Sequence, residues 1–161
     1  MSVGARSMAA IVHDVPDPEL PHVTIGDLGI VRDVAEVDGR IDVTITPTFT
    51  GCPATEMISE QIVERLRDHG VERATVTVTL SPAWSTDWIT DRGRARLRRA
   101  GIAPPTKRHD ADLDVVLQIP AECPRCGSRR TRAKSEFGST PCKALSVCLA
   151  CGEAFERFKP I

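Results

Sequence analysis

Residues 40–66 read RIDVTITPTFTGCPATEMISEQIVERL, and the period of their apolar residues changes halfway along. Ile41, Val43 and Ile45 alternate with Asp42, Thr44 and Thr46, which predicts a strand with one buried and one polar face. From Ala54 onward the apolar residues recur at every fourth position, as Ala54, Ile58, Ile62 and Leu66, with Met57 beside them. That is the stripe of an amphipathic helix. The helix is expected to begin near Cys52, with Pro53 at the first position, where a missing N–H leaves no bond unmade. Gly70 supplies the stop. A strand running into a helix across a Gly-Cys-Pro junction is the nucleus of a mixed α/β fold.

Residues 29–37 predict a strand that pairs with 40–47 through Asp38-Gly39, a strong type I′ hairpin signal. Residues 7–14 predict a short helix, ended by DVPDPELPH with its three prolines. Gly26 and Gly29 punctuate a loop that leads into the first strand. Downstream, 74–80 (ATVTVTL) predict a third strand with Val76, Val78 and Leu80 inward. Ser85 or Thr86 is the candidate cap of a helix running through about Arg99. GIAPPTKRHDAD reads as a linker, and DVVLQIP as a strand. The expected class is α+β, a small α/β sandwich of order αββαβα, followed by a cysteine-rich module. The expected divisions are a domain over 1–103, a linker with a strand over 104–121, and a module over 122–161.

The 161 residues and 41% hydrophobic content suffice for one ordinary domain with a small appendage. No apolar run reaches the roughly 20 residues of a membrane span, and the N-terminus lacks the apolar core of a signal peptide. A cytoplasmic location and no membrane partner are expected. The net charge of −1 conceals an asymmetry, −5 over 1–121 and +4 over 122–161. Thiolates on a divalent ion would reduce the second value further. Aromatic residues are not interleaved with basic ones, so a nucleic-acid partner is not expected.

Four of the six cysteines form two CxxCG units, Cys123 with Cys126 and Cys148 with Cys151. Each is a knuckle whose turn points two sulfurs at one ion, and the following Gly accepts positive φ. In a reducing compartment this spacing reads as a structural four-thiolate zinc site, with an iron–sulfur cluster or disulfides as alternatives. Such a site has no open position, so it staples a module too small to hold itself together. Cys142 lies outside both knuckles. It reads either as a buried thiol or as a second accessible one that cooperates with Cys52.

Cys52 is more than 70 residues from every other cysteine. At a helix N-terminus, unpaired N–H groups and the dipole are expected to lower a thiol's pKa. Against this, cysteine is often a small core residue. No His or Asp is locally arranged as a base for it, so nucleophilic catalysis is unsupported. Asp17 and Glu19 in DPELP, and Asp27 in GDLG, read as turn-shaping residues or as accessory carboxylates. Trp84 and Trp88 read as core or as a partner surface. The arginines of DRGRARLRRA read as a solvated helix face or as a contact for an acidic partner or for phosphates.

DPELPHVTIGDLGIVRDV, TPTFTGCPATEMI and WSTDWI together resemble the small domain of SufT-like iron–sulfur assembly factors, over roughly residues 8–103. CPRCGS, SEFGSTPCKAL and CLACGEAFERFKPI extend the resemblance to the PaaD (PaaJ) family of phenylacetyl-CoA 1,2-epoxidase subunits. The resemblance implies aerobic phenylacetate degradation, in which a multicomponent di-iron monooxygenase epoxidises the aromatic ring. It implies an accessory, non-catalytic subunit that assists assembly of an iron–sulfur or di-iron centre, with the oxygenase and reductase components as partners. It also implies that Cys52 is a functional thiol, a transient holder of iron or of a cluster, while zinc stays structural. Ser146 departs from the aromatic residue expected there.

The residues themselves speak against oxygen chemistry in this chain. A di-iron carboxylate site needs Glu-x-x-His motifs on facing helices, and His13, His22, His69 and His109 lie in none. There is no GxGxxG loop. The rival functions are a purely structural docking subunit with an inert Cys52, a general iron–sulfur carrier, and a nucleic-acid-binding ribbon. Association between copies of the chain is left open.

Overall fold

The computed structural model describes residues 3–107 and 119–159. The chain divides into two compact units, Met1–Trp84 and Ser85–Ile161, and the whole is mixed α+β.

The first unit contains α1 (Val3–His13), β1 (Val31–Val37), β2 (Arg40–Ile45), α2 (Ala54–Asp68) and β3 (Ala74–Val78). Its sheet has the order β1-β2-β3, with β1 antiparallel and β3 parallel to β2. The hairpin pairs Val37 with Arg40, and Asp38 and Gly39 both adopt positive φ, 49° and 71°, as a type I′ turn demands. β2 buries Ile41, Val43 and Ile45, the alternation expected from its sequence. The parallel return to β3 requires a crossover, and α2 supplies it. Ala54, Ile58, Ile62 and Leu66 of α2 are all buried. Gly70, at φ 84°, ends the helix, and Val71 N–H returns to the Leu66 carbonyl at 3.0 Å.

Two expectations for this unit are corrected. The 74–80 strand does not point all its apolar residues inward, because Val78 is 45% and Leu80 54% exposed. β3 is an outer strand of this sheet, so cover that serves the central strand does not reach its end. The first strand starts at Val31 and not at Gly29, because Gly29 takes φ 68° in the preceding loop. Trp84 is core, buried with its indole N–H donating to the Leu28 carbonyl at 2.9 Å.

The second unit contains a single 3-10 turn (Thr86–Trp88), α3 (Asp91–Arg99), β4 (Ile102–Ala103), β5 (Thr131–Ser135), β6 (Lys143–Cys148) and β7 (Ala154–Phe158). Its sheet has the order β4-β7-β6-β5, antiparallel except for the β4–β7 pair. In place of the one helix expected from Ser85 to Arg99, two elements are found. Ser85 caps only the 3-10 turn, Ile89 is extended, and Thr90 caps α3 by accepting from Gly93 N–H at 3.0 Å. The units divide 19 residues before the boundary expected at 103, because β4 pairs with β7 in the second sheet. The strand expected over 114–120 lies, except for its last two residues, outside the described residues.

On α3, Arg92, Arg98 and Arg99 are exposed, as on a solvated face. Arg94 is half-buried and donates to the Thr86 carbonyl at 2.7 Å and to the Pro105 carbonyl. Among the described residues no helix is long and apolar enough to cross a membrane.

Candidate functional site: a lone thiol and a four-cysteine cluster

In the first unit the chain leaves β2 and turns through residues 46–53 into α2. Gly51 takes φ 79°, and Cys52 N–H bonds the Phe49 carbonyl at 3.1 Å, closing the turn. Pro53 sits in helical geometry as the cap residue, so the helix starts at Ala54, two residues beyond Cys52. Ala54 N–H and the Thr55 hydroxyl favour the thiolate of the half-buried Cys52, the donors its place before a helix promised.

The expected low pKa does not follow. Burial pushes the Cys52 thiol up from its ordinary value, and the negative charges of Glu19 and Asp17 add to that, outweighing the two donors. The structure therefore brings three of the sequence candidates into one electrostatic neighbourhood. Their roles differ. Asp17 is buried and its Oδ1 accepts from Glu19 N–H and Leu20 N–H, both at 2.9 Å, so it shapes the DPELP turn. Asp27, fully buried, accepts from Thr24 N–H at 3.3 Å while Thr24 Oγ1 accepts from Asp27 N–H at 3.1 Å. This reciprocal pair builds the loop before β1. A cleft of 170 Å³ in the same unit, lined by Val15, Pro16, Gln61, Glu64, Arg65 and Asp68, includes none of the candidate residues.

In the second unit the two knuckles converge. One ligand atom from each of Cys123, Cys126, Cys148 and Cys151 lies within 4.8 Å of all the others. Cys123 Sγ is 3.8 Å from Cys151 Sγ, and Cys126 Sγ is 3.6 Å from Cys148 Sγ. A tetrahedral zinc with bonds of about 2.3 Å spaces its sulfurs by about 3.8 Å, so the cage fits a single ion. Gly127 and Gly152 take φ of 74° and 78°, the left-handed turn each knuckle needs. Both turns also close through the backbone: Gly127 N–H bonds the Cys123 carbonyl at 2.9 Å, and Gly152 N–H bonds the Cys148 carbonyl at 3.0 Å. N–H groups of Cys151 and Ala150 favour the Cys148 thiolate and hold its pKa down to about 6. Cys123 and Cys148 also belong to the core, packed with Ala103 and Phe155. A bound zinc would act as a cross-link between knuckles, with every coordination position filled by this chain's thiolates.

Cys142 is buried, and its Sγ lies 3.1 Å from Thr140 Oγ1. The alternative of an accessible second thiol is thereby corrected. Ser146, where an aromatic residue was expected, is buried in β6 opposite Phe155. The feature that sequence reasoning missed is the ion pair of buried Lys143 with half-buried Glu156, at 2.8 Å. A lysine directly before the apolar run of β6 was its only signal.

The fold and these sites define a protein that joins an iron–sulfur-assembly type of domain to a zinc β-ribbon. Residues 9–83 match the iron–sulfur cluster assembly protein family, and residues 110–159 match the PaaD zinc beta ribbon domain. A protein of Escherichia coli K12, provisionally named as a subunit of 1,2-phenylacetyl-CoA epoxidase, is 45% identical over 94% of this chain and 90% of its own length. The chain belongs to the PaaD family of phenylacetyl-CoA epoxidase subunits. An Fe-S protein maturation auxiliary factor of Porphyromonas gingivalis is 32% identical over 57% of this chain and 89% of its own. The crystal structure of a DUF59 domain from Bacillus anthracis superposes with a TM-score of 0.53 at 30% identity. It covers 58% of this chain and 90% of that one.

Proposed function

We propose that this chain is a non-catalytic accessory subunit of a phenylacetyl-CoA epoxidase system, working in the cytoplasm on an iron-containing centre of a partner component. The observation that carries the reading is Cys52, a half-buried thiol at a strand-to-helix junction inside a domain matching the iron–sulfur assembly family. Its raised pKa makes it a protonated thiol at neutral pH, which binds soft metal only by giving up that proton. Competition from that proton weakens the hold of this thiol on a soft metal at neutral pH. The four knuckle cysteines hold structural zinc and leave Cys52 free for iron or a cluster. The oxygenase and reductase components are the candidate clients.

The test is metal analysis of anaerobically purified protein, wild type beside Cys52→Ser, together with the activity of the epoxidase produced alongside each. The reading expects one zinc per chain in both, iron only with the wild type, and a poorly metallated epoxidase with the variant. Full epoxidase activity and metal loading with Cys52→Ser would sink it. A second reading, a docking subunit with an inert thiol, draws support from the same raised pKa and predicts that null result.

A further inference from the structure

Two motifs that the zinc site does not absorb, FGSTPCK and the C-terminal FK, meet on one side of the ribbon sheet. Lys159 Nζ stands 5.7 Å from the centre of the Phe137 ring, and Lys159 N–H bonds the Cys142 carbonyl at 2.9 Å. Phe137 is 83% exposed, the most exposed large apolar residue among those described. Its place is not a loose loop tip. Phe137 N–H donates to Ser135 Oγ at 3.0 Å, Gly138 N–H to the Lys143 carbonyl at 2.9 Å, and Ser139 N–H to Glu156 Oε1 at 2.7 Å. Lys143 N–H closes onto the Thr140 carbonyl at 3.0 Å, and the part-buried Lys143–Glu156 pair anchors the loop base. A Cβ on Gly138 would come within 3.0 Å of Lys143 and of Glu156 Oε1, so the loop is packed to its limit.

An aromatic ring held in water by a rigid frame is a preorganised anchor, since little ordering entropy is lost when it docks. The surrounding charge states what it fits. Glu136 is taken by Arg157 at 3.0 Å, and Glu156 by Lys143. Lys159 forms no ion pair among the described residues. The ring thus carries at its face one ammonium, that of Lys159, with no carboxylate partner among the described residues.

We propose that Phe137 is the anchor by which the ribbon docks onto another polypeptide, in an apolar pocket whose rim carries a carboxylate that meets Lys159. This rests on the reading of the chain as a subunit of the epoxidase system, so the partner is sought among its other components. The charge complementarity selects an acidic rim, and protein contact predicts a salt-dependent association rate.

The test uses the full-length, zinc-loaded chain and the purified oxygenase component, with affinity measured at low and high salt. Phe137→Ala is expected to weaken binding by about 30-fold or more, the loss typical of a hot-spot residue. Lys159→Glu is expected to weaken it and flatten its salt dependence. Leu80→Ala, 54% exposed in the first unit, serves as the control and is expected to leave binding within twofold. Zinc content and circular dichroism report that each variant is folded. Wild-type binding that survives Phe137→Ala overturns the docking proposal and leaves the subunit reading standing. No binding of the wild-type chain to oxygenase or reductase overturns both. Sedimentation showing that Phe137→Ala splits a dimer, or retention on single-stranded DNA that depends on Phe137, assigns the ring to another occupant and also overturns it.

Discussion

Cys126 Sγ lies 3.6 Å from Cys148 Sγ, although 21 residues separate them in the chain. Four thiols this close share protons poorly. The Ser128 N–H favours a thiolate at Cys126, yet hydrogen bonding among the cysteines and burial push its pKa up to about 12. A divalent ion removes that conflict by binding all four as thiolates. Zinc analysis is expected to give one ion per chain. Stripping it with a chelator and an organomercurial is expected to abolish the strand signal of β5 to β7, since structural zinc contributes about 10 kcal/mol or more to such small modules. Strand signal retained by the metal-free chain would contradict a structural role.

Cys52 gives a prediction with a definite sign. Its folded pKa is raised above the ordinary 9.0, by burial first and then by Glu19 and Asp17. The folded state therefore holds the thiol proton more tightly than the unfolded chain does. Stability from this source is present below the unfolded pKa and is lost as pH rises through the folded one. Iodoacetamide labelling of Cys52 in the zinc-loaded protein is expected to rise with a midpoint above 9.0. Glu19→Gln removes a facing negative charge and is expected to move that midpoint down. An unchanged midpoint in Glu19→Gln would separate the carboxylate from the thiol.

The hairpin, the crossover helix and the two knuckles were legible because each rests on local chemistry: positive φ at Asp38 and Gly39, a four-residue apolar stripe, and CxxCG turns. What was not legible depends on distant partners. Burial around Cys52 and the approach of Glu19 reverse the effect of its helix-end donors, and no spacing along the chain encodes that. Alternation in 74–80 marked a strand at β3 but not its cover, because sheet order decides which strand is outermost. The break at Ile89 and the pairing of β4 with β7 move α3 into the second unit, a tertiary outcome that helix propensity does not carry.

Gly26 is required by close packing. A Cβ built there would lie 2.5 Å from the His13 carbonyl oxygen and 2.7 Å from His13 Nδ1. Gly26 N–H also bonds that carbonyl at 3.2 Å, which ties the loop to the end of α1. Gly26→Ala forces the loop away from the helix and is expected to destabilise the protein by about 2 kcal/mol, the usual cost of overpacking. Chemical denaturation of the two proteins measures it, and equal midpoints would show that the loop yields freely.

The Lys143–Glu156 pair separates a buried charge from a surface one. The two side chains are 5% and 26% exposed and their charged atoms are 2.8 Å apart. Burial works against the Glu156 carboxylate, but hydrogen bonds from Lys143 and Ser139 outweigh it and hold its pKa below the ordinary 4.5. Glu156→Gln leaves the Lys143 ammonium buried without its counter-charge. A fully buried pair loses roughly 3–5 kcal/mol when broken in this way, and the partial exposure of Glu156 reduces the expected loss to about 2 kcal/mol. Because the folded pKa is depressed, the contribution is present above pH 4.5 and fades as pH falls through the folded value. Thermal melts of zinc-loaded wild type and Glu156→Gln should therefore differ most near neutrality and converge in acid, where zinc loss affects both alike. The double variant Lys143→Met with Glu156→Leu removes both charges and is expected to recover most of the loss, since an apolar pair of similar volume replaces the ions. A double variant no more stable than Glu156→Gln would mean that the Ser139 N–H bond, and not the ion pair, carries the loop.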